Sequence, residues 1–140
     1  AGCDVNQRAK DGATPACVAA WEGQAAALEV LVKTPGCDIN QADKDGWTPA
    51  YIATFKGQTA ALDILVKAPG CDVNKASKYG QTPAYIAAHE GHTAALDLLV
   101  KAGCDVNRAE KDGMTPACIA AHEGHTAALD LLVKAGCDVN

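Results

Sequence analysis

The phrase HEGH occurs twice, as His89 to His92 and as His122 to His125, and it is the chain's nearest approach to a metal site. It falls short of the H-E-x-x-H spacing that sets two zinc ligands and a general base on one helix face, and a glycine interrupts the helix between the histidines. No metal is expected there. Nucleophilic catalysis needs a Ser, Cys or Thr beside an oriented base. The only serine, Ser77, lies in a turn-rich segment with no elbow motif around it. Every glycine is isolated, so no loop is built to cradle a phosphate. Of the seven cysteines, five (Cys3, Cys37, Cys71, Cys104, Cys137) share the slot in Gly-Cys-Asp-Val/Ile-Asn. Stacked units at helix-packing distance would hold equivalent Cα atoms about 8–10 Å apart, beyond disulfide reach. Free thiols acting as small buried apolar fillers are expected, and with them a reducing, intracellular and cytoplasmic setting. Neither catalysis nor a cofactor is predicted.

The elements that carry these residues repeat. Thr-Pro followed by Ala stands at 14–15, 48–49, 82–83 and 115–116, spacings of 34, 34 and 33 residues. The extra residue in the first two units is Pro35 or Pro69, inserted before Gly-Cys. Thr before Pro predicts a helix start, since a threonine side chain caps the first turn and proline lacks the amide hydrogen that would be orphaned at the next position. Gly23, Gly57, Gly91 and Gly124 predict its end in a left-handed conformation. A second helix follows, TAALDLLVKA in the last two units, with an apolar face such as Ala61, Leu62, Leu65 and Val66. It is expected to stop at the Gly of Gly-Cys-Asp, with Lys in the last turn and an acid four residues before it as solvated support. The units run about 7–40, 41–74, 75–107 and 108–140, after a leading half-hairpin at residues 1–6. A pair of helices this short cannot bury its own apolar face, so four pairs must stack into a solenoid without linker or second domain.

Bulk properties agree with that plan. The 49% apolar content can supply a core, and the net charge of −5, with Lys and Arg scattered singly, excludes a basic stripe for nucleic acid or an anionic membrane. No apolar run approaches the length of a membrane span, and no signal-peptide pattern opens the chain.

The repeated phrase DG-x-TPA-x-x-AA-x-x-GH-x-x-ALDLLVK-x-GCDVN resembles the ankyrin repeat, whose signature combines Thr-Pro-Leu-His-x-Ala-Ala, Gly-His, Leu-Leu and Gly-Ala-Asp-Val-Asn at a 33-residue spacing. The likeness covers essentially the whole chain. It implies an all-α fold with short β-hairpin fingers, first helices on a concave inner face, second helices on the convex back, and a non-catalytic protein-binding role. The Leu slot holds Ala16, Ala50, Ala84 and Ala117, and the His slot holds Cys17, Tyr51, Tyr85 and Cys118. The Thr-His hydrogen-bond ladder of the family is therefore absent.

All six aromatic residues fall on first helices or finger segments. Tyr51 and Tyr85 are expected to pack between units. Trp21, Trp47, Phe55 and Tyr79 occupy outward positions of the resembling family, where they either concentrate binding energy or shield thin, alanine-rich helices. The expected contact surface comprises Trp21, Lys44, Asp45, Trp47, Phe55, Lys56, Lys78, Tyr79, Gln81, His89, Met114 and His122, centred on the second unit. A protein partner is implied. The first and last units are as apolar as the interior ones, so self-association end to end is the alternative.

Overall fold

The computed structural model describes residues 3–139; residues 1 and 2 of the leading half-hairpin, and residue 140 of the last unit, lie outside this range. Among the described residues eight α-helices form four pairs: α1 (Pro15–Glu22) with α2 (Ala25–Lys33), α3 (Pro49–Lys56) with α4 (Thr59–Lys67), α5 (Pro83–Glu90) with α6 (Thr93–Lys101), and α7 (Pro116–Glu123) with α8 (Thr126–Lys134). First helices pack on first helices and second on second, giving two layers. Helices of eight or nine residues are marginal alone in water, so their stability comes from this packing.

Local chemistry sets each boundary. Thr14, Thr48, Thr82 and Thr115 accept from the backbone N–H three residues on at 3.1–3.2 Å, and proline follows each of them. Second helices end in two ways. In the last two units Ala102 and Ala135 stay helical, and Cys104 and Cys137 donate back to Leu99 and Leu132 across a left-handed glycine. In the first two, proline forces its predecessor out of the helical region, so Thr34 and Ala68 are extended. Proline then glycine at φ +84° and +79° completes a turn closed by Cys37 N–H to Thr34 O and Cys71 N–H to Ala68 O.

The leucines show why units must stack. Leu62, Leu65, Leu96 and Leu99 in the interior units are fully buried, each burial being worth about 1.5–3 kcal/mol. The equivalent Leu31 in the first unit and Leu129 in the last are only half-buried, because one neighbour is missing on the outward side.

The expected β-hairpin fingers do not form: no strand or sheet occurs among the described residues, so the fold is an all-helical solenoid whose fingers are tight turns. Each turn is closed by one bond across it, for example Asp43 N–H to Trp47 O at 3.0 Å, and by Gly46 N–H to Asp43 O at 3.0 Å. The chain cannot extend a ladder from there, since the next residues are the capping threonine and a proline without an amide hydrogen. On the other side Asp38, Asp72 and Asp105 each accept from the backbone N–H two residues on at 2.9–3.0 Å, folding the chain rather than extending it. Successive fingers share single backbone bonds, Lys78 N–H to Asp45 O and Lys111 N–H to Tyr79 O.

Candidate functional site

Fingers are held in register by side chains that the period supplies. Asn40 spans two units: its Oδ1 accepts from Asp72 N–H at 2.8 Å and its Nδ2 donates to Gly70 O at 2.8 Å. Asn6 makes the same pair of bonds to Asp38 and Gly36, while Asn74 and Asn107 accept from Asp105 and Asp138. Arg8, Lys75 and Arg108 reach backbone carbonyls of the neighbouring unit beside them. A second ladder crosses the helix layer. Gln58 donates to Trp21 O at 3.1 Å, His92 to Phe55 O at 3.1 Å and His125 to His89 O at 3.0 Å. A carbonyl only accepts, so Nε2 carries the proton in both histidines. These residues precede the second helices yet make no side-chain cap bond; they tie each unit to the preceding one.

On this frame the fingers and first helices of the first two units meet along an aromatic run. Trp21 lies 6.4 Å from Phe55 between ring centroids, Phe55 lies 5.2 Å from Trp47, and Trp47 lies 5.1 Å from Tyr51. Trp21 is 42% exposed and Tyr79 is 54% exposed, whereas Trp47 and Phe55 are half-buried. The difference is geometric: Trp47 and Phe55 pack on each other, while Trp21 stands on the first helix with a single aromatic neighbour. Lys56 places its ammonium 4.7 Å from the Trp21 ring centroid, and Lys78 places its own 5.2 Å from that of Tyr79.

Charges join the fingers. Lys78 Nζ meets Asp45 Oδ1 at 2.7 Å; the hydrogen bond from Lys78 holds the Asp45 carboxyl below its usual range, and Asp45 in turn raises Lys78. Gly46 makes this contact possible, because at φ +78° a side chain would be strained and its Cβ would sit 2.8 Å from Lys78 N. Lys44 is exposed, Gln81 is half-buried and accepts from Tyr51 Oη–H at 3.0 Å, and Met114 is half-buried. His89 stacks on Tyr85 at 6.4 Å with its Nδ1 2.8 Å from Glu90 Oε1; His122 is exposed and pairs with Glu123 at 2.9 Å. The His122 bond holds the Glu123 carboxyl below its usual range. Trp21, Trp47, Phe55 and Lys56 are thus linked through direct contacts, Asp45, Lys78 and Tyr79 form a second linked group, and Met114 and His122 belong to the last unit.

A cleft of about 420 Å³ opens between the first two fingers and their helices, lined by Asp11, Ala13, Cys17, Val18, Trp21, Glu22, Asp43, Asp45, Trp47 and Ile52. Cys17 is buried and burial pushes its thiol up; the corresponding Tyr51 is fully buried, and burial raises its hydroxyl well above the ordinary value. The Gly-Cys-Asp cysteines were expected to be buried. Cys37, Cys71, Cys104 and Cys137 are instead half-buried and Cys3 is exposed, because the column runs along the edge of the helix layer. All seven thiols are free.

The family model for ankyrin repeats, in three copies, matches residues 1–77 and 69–140. The chain belongs to the ankyrin repeat family. No curated protein matches it. Ankyrin repeats are in general protein–protein interaction modules and are typically non-catalytic. No group of three or more His, Cys, Asp or Glu side chains able to hold a metal ion occurs among the described residues, and no helix among them is long and apolar enough to cross a membrane. What sequence reasoning missed in this ankyrin array is the Asn ladder, the bridging role of Gln58, His92 and His125, and the cleft beside Cys17. The invariant slot of Asn in each Gly-Cys-Asp-Val/Ile-Asn phrase was the available signal for the first.

Proposed function

We propose that this ankyrin array binds a protein partner, without catalysis, through the face formed by its first helices and fingers, centred on the first two units. The observation that carries the reading is the aromatic run from Trp47 through Phe55 to the exposed Trp21, with a second exposed ring, Tyr79, on the third unit's finger and a lysine beside each exposed ring. Tryptophan and tyrosine concentrate binding energy in few side chains, and their exposure here leaves them unspent on the core. Trp21→Ala with Tyr79→Ala is expected to weaken capture of a partner by about 30-fold or more while leaving the far-UV signal and melting intact. Asp63→Ala with Lys67→Ala, an exposed ion pair on a second helix, serves as the control and keeps capture. Equal capture by both variants would remove the reading.

A second reading, end-to-end stacking of copies, is favoured by two apolar clefts on the outward faces: one of about 910 Å³ beside Val30 and Leu31, the other of about 590 Å³ beside Leu129 and Val133. Val30 and Val133 are 67% and 49% exposed. Stacking requires mass that grows with concentration in light scattering and is suppressed by Val30→Glu or Val133→Glu; a constant monomer mass removes it.

A further inference from the structure

We infer that the cleft between the first two fingers takes a protonated side chain, an arginine or lysine presented by the protein partner. This rests on the partner-binding reading and names the chemistry recognised there. Four carboxylates, those of Asp11, Glu22, Asp43 and Asp45, and two indoles, those of Trp21 and Trp47, line the same cavity, and no lysine or arginine is among its lining residues. Asp11 and Asp43 spend one oxygen each on finger N–H groups, from Ala13 at 3.0 Å and from Asp45 and Trp47 at 2.9 and 3.0 Å. Asp45 is engaged by Lys78, and among the described residues no cation lies within ion-pair distance of Glu22, Asp11 or Asp43. An anionic side chain would be repelled. An apolar one would match the indoles but would strip water from the carboxylates without compensation. A cation satisfies both walls, and the chain already shows that Trp21 accepts one, since Lys56 lies over its ring.

Comparison along the array explains why the cleft is confined to this place. The slot of Cys17 is filled by Tyr51 in the next unit, whose ring occupies the corresponding space and whose hydroxyl reaches Gln81. The slots of Glu22, Asp43 and Asp45 become Lys56, Ser77 and Tyr79, so the second junction loses the cavity and three of its carboxylates together. The small thiol and the acidic rim coincide only between the first and second units: at the third junction Glu90, Glu110 and Asp112 restore the acids, but Tyr85 fills the slot.

The only two tryptophans of the chain line this cavity, so their indole N–H resonances and fluorescence report on it directly. The test titrates the whole chain with an alanine pentapeptide carrying one central arginine, and with its citrulline counterpart, equal in shape but uncharged. Saturable shifts of both indole resonances are expected with arginine, weakened about 2- to 30-fold with citrulline and about as much by Trp21→Leu. Asp43→Asn keeps the oxygen that the finger N–H groups use and removes only the charge, so it is expected to weaken binding with an unchanged far-UV spectrum. Cys17→Tyr, which copies the next unit, is expected to abolish it. Equal shifts with both peptides, or none with either at millimolar concentration, overturn the inference. If the peptide fails while capture of a partner still depends on Trp21 and Tyr79, the cleft inference falls and the binding reading stands.

Discussion

Asn40→Ala tests whether the array is held together by side-chain bonds between units. The substitution removes two of them, the acceptor to Asp72 N–H and the donor to Gly70 O, both at 2.8 Å. A neutral intramolecular bond contributes about 0.5–1.5 kcal/mol net, and the exposed Asp72 and Gly70 groups can turn to water, so no penalty for burying an orphan is added. The expected loss is about 2 kcal/mol. Asn74 has a different environment: without the Pro-Gly turn ahead of Cys104, its contribution is the single bond to Asp105 N–H. Asn74→Ala should therefore lose about half as much, about 1 kcal/mol. Asn40→Asp keeps the acceptor but sets a carboxylate oxygen against the Gly70 carbonyl, and is expected to fall near the alanine variant. Equilibrium unfolding in urea, followed by far-UV circular dichroism and by tryptophan fluorescence, measures these differences. With a slope of about 2 kcal/mol/M the Asn40→Ala midpoint moves down by about 1 M. A loss within about 0.5 kcal/mol of zero, or a larger loss for Asn74→Ala than for Asn40→Ala, refutes the reasoning.

His92→Gln is expected to leave stability nearly unchanged, because Gln58 makes the equivalent bond one unit earlier; His92→Ala is expected to lose about 1 kcal/mol, and thermal melts of the pair distinguish a bridging role from simple packing. Tyr51→Phe removes the hydroxyl bond to Gln81 from a fully buried ring and should cost about 1 kcal/mol in the same melts. Burial pushes the Cys71 and Cys104 thiols up to about 11 from an ordinary 9.0, so the folded state holds these protons more tightly than the unfolded chain. Their contribution is whole below about pH 9 and is lost as pH rises through about 11. Since both thiols are partly solvated, the loss is discounted to about 1 kcal/mol each, and Cys71→Ala with Cys104→Ala should flatten the alkaline limb of a stability–pH profile by that amount.

The helix starts were legible because their causes are local: a threonine side chain and a proline ring act within four residues of themselves. The same holds for the left-handed glycines after first helices. The β-hairpin fingers were implied by the family resemblance alone, and they do not form because Asp and Asn in those stretches fold back on their own backbone and are poor strand formers. The recurring Asn marked a shared role in every unit, but its partners were not legible. Asn40 and Asp72 are 32 residues apart, and nothing in either residue alone says that one will bind the other's backbone. The cleft lies between these cases. That Cys17 is smaller than Tyr51 is plain from the sequence, but only coordinates show that the missing ring leaves open space beside two indoles and not a collapsed contact.

Positions that repeat and positions that do not therefore serve different ends. Asn and Leu recur at the period because each meets the neighbouring unit, and Thr, Pro and Gly recur because every unit needs the same local helix starts and stops, so changing one disturbs a junction or a helix end. The slots of Cys17, Trp21, Glu22, Asp45 and Trp47 change from unit to unit and make few of those bonds, so they are free to differ in chemistry without loosening the stack. The last two units depart from each other by one residue, Tyr85 against Cys118, between Thr82 and Asn107 and between Thr115 and Asn140. Two nearly equal helix surfaces cannot carry much discrimination, whereas the first two units differ at four of these five slots and share only the aspartate, Asp11 and Asp45. On the partner-binding proposal, selectivity arises where the units diverge, and the first junction is where it would be read, since the open slot beside Cys17 there lies against two indoles and four carboxylates.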